Sequence, residues 1–403
     1  MYYFKGGILM GKRKLKSFIC MLLCICMLIP QSGLAWGAQS GNRLKPDTED
    51  LEIHVGEVFG SGGGVSSKDR SNLKLDEVWK DVTGKGVNVA VIDGGANLND
   101  PAIKSKIKGV YNAKTGSTKR SDISSDSHGT SCAKILVGVA PKVNLYIIQA
   151  GKDGYIYSDQ VEKGLAYAKS KKCRVISMSF GGDSYSQWEY NVINNLYTAP
   201  VNSGLVCASG GNSGKREYHY AASYDNTLSV GAAKYDSGKK QYVVIPKGTY
   251  NDKMDVVAPG GTTSAAAPFA AGVAALLFQA KPSMTAKECR DIINATAKDL
   301  GAKGYDSHYG HGLIQPLEAL RKVKGYGITL KQTKAVIQRG KSVTIKIKSI
   351  RPKSDRVKSY VSSNKSVAGV NSKGKVTGKK KGKAKITVTT KKGSKAVFQV
   401  TVK

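Results

Sequence analysis

Four short runs dense in β-branched and apolar residues constrain this chain more than any other feature. They are Val87-Asn88-Val89-Ala90-Val91-Ile92, Asn144-Leu145-Tyr146-Ile147-Ile148, Cys173-Arg174-Val175-Ile176-Ser177-Met178 and Gly204-Leu205-Val206-Cys207-Ala208. Near-continuous apolar runs of this length suit strands covered on both faces, the condition of a parallel sheet. Helical spacing recurs between them. Ser158 can cap a helix whose Val161, Leu165 and Ala168 share one face. Thr285 and Glu288 form a T-x-x-E capping box ahead of Cys289, Ile292 and Ile293. Strand–helix alternation predicts a doubly wound α/β domain with a mostly parallel sheet over residues 72–324.

The sequence changes character on either side of that domain. Residues 39–71 are polar and rich in Gly and Ser, including Gly60-Ser61-Gly62-Gly63-Gly64, and predict a flexible leader. Residues 325–403 alternate apolar with polar positions in Ser342–Ile347, Ala384–Val388 and Ala396–Val402. Turn signals at Lys373-Gly374 and Lys392-Gly393 separate these runs, so a small antiparallel all-β sandwich is expected there.

Residues 1–38 carry an address. Lys12, Arg13, Lys14 and Lys16 precede the apolar run Phe18–Ile29, and Gly33-Leu34-Ala35-Trp36-Gly37-Ala38 supplies small residues for cleavage after Gly37 or Ala38. This is the layout of a secretory signal peptide. The run is too short to span a bilayer comfortably, and a retained anchor is the alternative. No later segment is read as long and apolar enough to cross a membrane, and no stable membrane span is expected. Cys132, Cys173, Cys207 and Cys289 remain beyond the leader, too few for a disulfide framework, and isolated buried thiols are expected.

The chain carries a net charge of +34, and residues 325–403 hold 22 Lys plus Arg against Asp355 alone. A field of that sign attracts polyanions, including acidic wall polymers, or serves solubility alone. No basic–aromatic pattern of a nucleic-acid reader is present, so no specific nucleic-acid partner is expected.

Four residues stand at strand ends or helix starts and offer the parts of serine acyl transfer: a nucleophile, a base, a carboxylate to orient it and an oxyanion donor. Asp93 follows the first apolar strand and precedes Gly94-Gly95. Parallel sheets place their sites at that end of a strand, although an Asp there also fits a turn or cap. His128 lies in Ser127-His128-Gly129-Thr130-Ser131-Cys132-Ala133, where Gly129 would allow a tight entry into a helix. Ser264 lies in Thr262-Thr263-Ser264-Ala265-Ala266-Ala267-Pro268, ahead of a helical run, and fits an N-cap as well as a nucleophile. Asn212, after the fourth strand, can donate to an oxyanion, as can the backbone N–H of Ser264. His54, His219, His308 and His311 lack such context, and His308 with His311 has no companions for a metal site. No metal or cofactor is expected.

In the order Asp93, His128, Asn212, Ser264, these segments resemble the subtilisin-like serine peptidases, the subtilases, whose triad follows that order. The resemblance covers about residues 72–324. It extends to Ser179-Phe180-Gly181-Gly182, Val256-Val257-Ala258-Pro259-Gly260 and Tyr309-Gly310-His311-Gly312-Leu313-Ile314. It implies an endopeptidase in which Asp93 orients His128, His128 acts as base and then acid, and Ser264 attacks the scissile carbonyl. It further implies that Asn212 stabilises the oxyanion with Thr263 assisting, and that the polypeptide substrate adds as a strand beside Ser179, Phe180 and Gly181. Residues 326–403, through Ser362–Val370, Gly374–Gly378 and Gly382–Val388, resemble the bacterial Ig-like group 2 domain, which implies a secreted or surface protein and, with its charge, a cell-wall tether or a passive spacer.

The sequence departs from the family's pattern in four places. Thr262 replaces the glycine of Gly-Thr-Ser, and the stretch from Pro259-Gly260 to Ser264 is short. Ser131 and Lys134 replace a histidine and a glycine of the usual histidine motif. The interval from His128 to Gly138 lacks the insertion that carries a calcium loop in many relatives, so no calcium site of that kind is expected. The leader is too short for the compact inhibitory propeptide of many relatives, and the domain is expected to fold without one or with help in trans. Cys132 takes the place of the buried cysteine of the family's thiol-containing branch. The rival reading is a subtilase-like scaffold without turnover, acting in binding or regulation, and it rests on the altered surroundings of Ser264.

Overall fold

The computed structural model describes residues 51–52 and 64–403. The export signal expected over 1–38, and most of the leader (39–50 and 53–63), lie outside the described residues.

In chain order the strands preceding the C-terminal module are β1 (Leu51–Glu52), β2 (Asn88–Asp93), β3 (Ile107–Asn112), β4 (Asn144–Gln149), β5 (Gly151–Lys152), β6 (Tyr155–Ile156), β7 (Val175–Met178), β8 (Leu205–Ser209), β9 (Thr227–Asp236), β10 (Gln241–Val244) and β11 (Val256–Pro259). The helices are α1 (Ser67–Asn72), α2 (Leu75–Trp79), α3 (Ser127–Val139), α4 (Ser158–Ser170), α5 (Gln187–Tyr197), α6 (Thr263–Ala280), α7 (Ala286–Thr296) and α8 (Pro316–Val323). The main sheet runs β10-β9-β8-β7-β2-β4-β3, with β11 also on β9. All its pairings are parallel except β10 on β9. The four apolar runs became β2, β4, β7 and β8, four strands of this sheet.

Both faces of the sheet are covered, which is why these strands read as unbroken apolar runs rather than alternating ones. Val89 and Val91 of β2 point to one face, with Leu136 and Val139 of α3 and Val273 and Leu277 of α6 in the same core. Ala90 and Ile92 point to the other, sharing a core with Val161 and Leu165 of α4 and Ile193 and Leu196 of α5. The order of strands turns back at β2, whose neighbours are β4 on one side and β7 on the other. Open α/β sheets bind ligands beyond the carboxyl ends of strands at such a switch.

Local signals were kept to different degrees. The Thr285–Glu288 capping box has both of its bonds. Ser158 opens α4 as its first helical residue, and Tyr157 is the N-cap. The stretch expected as leader, 39–71, already enters α1 (Ser67–Asn72), which Ser66 caps by accepting from Asp69 N at 3.0 Å. Contrary to the expectation that no later segment is long and apolar enough to cross a membrane, α6 is so by length and composition, and 89% of that window is buried within the fold. It is a core helix. The four cysteines are free and buried.

Residues 327–402 form short strands in three small sheets. The largest places Lys334–Ile337 beside Lys395–Val402, then Gly382–Thr390 and Val357–Ser362. Ile386, Val388, Phe398 and Val400 fill its core. All pairings are antiparallel except Lys334–Ile337 on Lys395–Val402, which is parallel. The run expected as one strand over Ser342–Ile347 divides between Ser342–Thr344 and Ile347–Arg351.

Candidate active site

Asp93 is the last residue of β2 and is 2% exposed. His128 is the second residue of α3 and is 8% exposed. The ring Nδ1 lies 3.0 Å from each carboxylate oxygen of Asp93, so Nδ1 carries a proton that the carboxylate accepts. Gly94 N also donates to Asp93 Oδ1, at 2.8 Å, which fixes the carboxylate's orientation. Burial is the largest single influence and disfavours the imidazolium, but the Asp93 charge, its hydrogen bond to the ring and the adjoining Cys132 together outweigh it, and the ring's pKa rises above the ordinary histidine value.

Gly129 serves a purpose other than the turn expected for it. It already lies within α3, and a Cβ there would fall 2.1 Å from Gly95 O and 3.0 Å from Asp93 Cβ. Glycine lets the helix press against the end of β2, and that contact holds imidazole and carboxylate together. Asp126, not among the candidate residues named from sequence, caps the helix by accepting from Gly129 N at 2.6 Å. Burial, and then the nearby Asp93 charge, raise its carboxyl pKa. An Asp three residues before a glycine at a helix start was the available signal.

Ser264 is the second residue of α6 and is 8% exposed. Its hydroxyl donates to the Ser179 carbonyl at 3.1 Å, and the Ser179 hydroxyl donates back to the Ser264 carbonyl at 2.9 Å. Cys132 touches both the histidine ring and the serine backbone: its Sγ is 3.9 Å from His128 Nδ1 and 3.6 Å from the Ser264 carbonyl. Burial pushes that thiol's pKa up, so it is neutral.

Thr262 explains how a β-branched residue replaces glycine. It is the N-cap of α6 in extended conformation, φ −141°, and its side chain accepts from Ala265 N at 3.3 Å. A backbone in that region needs no glycine, and threonine supplies a cap that glycine lacks. Thr263, fully buried, donates to Asn212 Oδ1 from both its backbone N–H (3.0 Å) and its hydroxyl (3.2 Å). The same hydroxyl accepts from Gly211 N at 3.2 Å. The Asn212 carbonyl oxygen is therefore taken up by Thr263, and the NH2 end of the amide is the one left to donate elsewhere. Phe180 is buried, and among the described residues Gly181 makes no backbone–backbone hydrogen bond. His308 and His311 are apart from this cluster, the first stacked on Tyr250 and the second edge-on to Tyr305.

A parallel α/β sheet carries a buried Asp93–His128 pair at its carboxyl end, and Cys132 links that pair to the backbone of the helix-head Ser264. The Subtilase family pattern matches residues 84–312, and the Bacterial Ig-like domain (group 2) pattern matches 326–401. The chain belongs to the subtilase family. Among curated relatives, Subtilisin BL of Lederbergia lenta is 30% identical over 60% of this chain and 93% of its own length. Minor extracellular protease Epr of Bacillus subtilis is 28% identical over 60% of this chain, a match that spans 40% of Epr. A solved lanthipeptide protease superposes with a TM-score of 0.55 at 22% identity, covering 63% of this chain and 94% of that one, which speaks for the fold.

Proposed function

We propose that this chain is an exported serine endopeptidase whose triad is Asp93, His128 and Ser264. The observation that carries it is the buried His128 ring, held 3.0 Å from both Asp93 oxygens, with Cys132 in contact with both that ring and the Ser264 backbone. With Nδ1 protonated toward Asp93, the lone pair of Nε2 is the basic one. For attack, the Ser264 proton must leave the Ser179 carbonyl for Nε2 as Oγ bonds to the scissile carbon. The resulting oxyanion receives the Asn212 NH2 and the Ser264 backbone N–H. Thr263, grouped with the oxyanion donors from sequence, acts by holding Asn212, since its hydroxyl is committed there. His128 then returns the proton to the leaving amine, and water repeats the cycle on the acyl-enzyme. The substrate adds as a strand along Ser179, Phe180 and Gly181, where Gly181 offers its backbone. Purified protein should hydrolyse casein and its S264A variant should not; hydrolysis by S264A at the wild-type rate would refute the assignment.

The domain division proposed is a signal over 1–38, a leader to 71, the peptidase over 72–324 and the Ig-like module over 325–403. The module's 22 basic residues against one acid favour retention on anionic cell-wall polymers outside the cell. Binding to purified walls that falls steeply with salt supports the tether. Equal retention of a chain truncated at 324 would sink it.

A further inference from the structure

His219 showed no functional context in sequence, yet the fold brings it to the substrate strand. The argument rests on the triad and strand-addition reading above. A peptide beside Ser179–Gly181, with its scissile carbonyl at Asn212, must send one side chain between two backbone segments. The side chain belongs to the residue just before the scissile bond, and the segments are Ser179–Gly181 and Ser209–Asn212. They face each other: the Ser209 hydroxyl donates to the Phe180 carbonyl at 3.5 Å, and Ser264 and Thr263 bond to Ser179 and Asn212 respectively.

The His219 imidazole stands between these two walls. A Cβ built on Gly181 would fall 2.4 Å from its Cε1 and 2.6 Å from its Nδ1, and a Cβ on Gly211 would fall 3.1 Å from its Cγ. Both walls are glycine where they meet the ring, although a Cβ on Gly181 would first meet the Tyr220 carbonyl, at 2.1 Å, and one on Gly211 the Thr249 hydroxyl, at 2.7 Å. The ring is also tied down. Nδ1 donates to the Ser209 carbonyl at 3.0 Å, and His219 N donates to the Ser223 hydroxyl at 3.0 Å. The next residue, Tyr220, exchanges two backbone hydrogen bonds with Gly182, each 2.7 Å, so the loop cannot swing aside without breaking that pair. Burial lowers the ring's pKa, so no charge draws it toward water.

We propose that His219 determines specificity by filling the recess for the side chain preceding the scissile bond, restricting cleavage to sites after Gly, Ala or Ser. A Phe or Leu there would have to displace a packed ring and leave the Ser209 carbonyl without its donor.

The test is a set of fluorogenic peptides differing only in that residue, read as the ratio of kcat/KM for Ala to that for Phe, alongside labelling of Ser264 by a fluorophosphonate. The wild type should favour Ala by at least about tenfold, the scale on which pocket size discriminates. H219G should lower the ratio by at least about tenfold, and H219F, which keeps the bulk, should retain the preference for Ala. A wild type that labels at Ser264 yet cleaves after Phe as readily as after Ala would overturn this proposal alone, as would an unchanged ratio in H219G. A wild type that does not label at Ser264 would overturn the triad reading and this one with it. The wild-type ratio decides the matter even if H219G does not fold.

Discussion

Replacing Thr263 by valine keeps the shape of a fully buried side chain and removes one oxygen that makes two hydrogen bonds. The bond accepted from Gly211 N is lost outright, leaving a buried donor without a partner, which costs about 1–3 kcal/mol of folding stability. The bond donated to Asn212 is one of two; the backbone N–H of Thr263 still holds Asn212 Oδ1 at 3.0 Å. Loss of one neutral anchor is worth about 0.5–1.5 kcal/mol, or roughly two- to twelvefold in rate if it all appears in the transition state. The ceiling is the whole donor, about 2.7–4 kcal/mol as measured in subtilisin itself. Because the oxyanion exists only in the transition state, kcat should fall with KM little changed. The assay is a double-mutant cycle on one peptide substrate: T263V, N212A and the pair. With Asn212 gone, T263V should have no further effect on kcat. If the two single effects instead multiply in the double variant, or if T263V raises KM and spares kcat, Thr263 does not act through Asn212.

Three further outcomes follow from the site. The Asp93 charge raises the pKa of His128 and the base must be neutral, so kcat/KM should fall as pH drops through a value above the ordinary 6.5. D93N should move that limb to lower pH while cutting kcat by about 10⁴; a wild-type limb below 6.5 would contradict the pairing. Full modification of Cys132 by a small mercurial should suppress turnover, since its sulfur lies 3.9 Å from the His128 ring, and C132A should resist; unchanged activity after complete modification would refute the crowding argument. Addition of calcium should leave Tm within about a degree of its value in chelator, whereas a ligand at about a hundred times its Kd would stabilise by about 2.7 kcal/mol; a large calcium-dependent rise would refute the expectation of no such calcium site.

What the sequence revealed and what it hid have physical causes. Runs such as Val89–Ile92 announced a sheet covered on both faces because every side chain in them is buried, so no polar residue interrupts them. The Thr285–Glu288 box was legible because its partners are three residues apart. Asp93, His128, Asn212 and Ser264 were each ambiguous alone and gained meaning only from their order. The Ser66–Asp69 cap that starts α1 was masked by the polar composition around it, which reads equally well as leader. The parallel contact of Lys334–Ile337 with Lys395–Val402 joins segments about sixty residues apart, and alternation alone does not encode direction. His219 was the least visible. Its meaning comes from Gly181 and Gly211, which meet it only after β7 and β8 are laid side by side.

The most direct measurement is the site of covalent capture by a fluorophosphonate, read by peptide mass spectrometry on the purified protein. A single adduct on Ser264 that disappears in H128A is the expected result. An adduct on another serine, or capture of Ser264 at the same rate without the imidazole, would contradict the convergence of these three side chains into one catalytic unit.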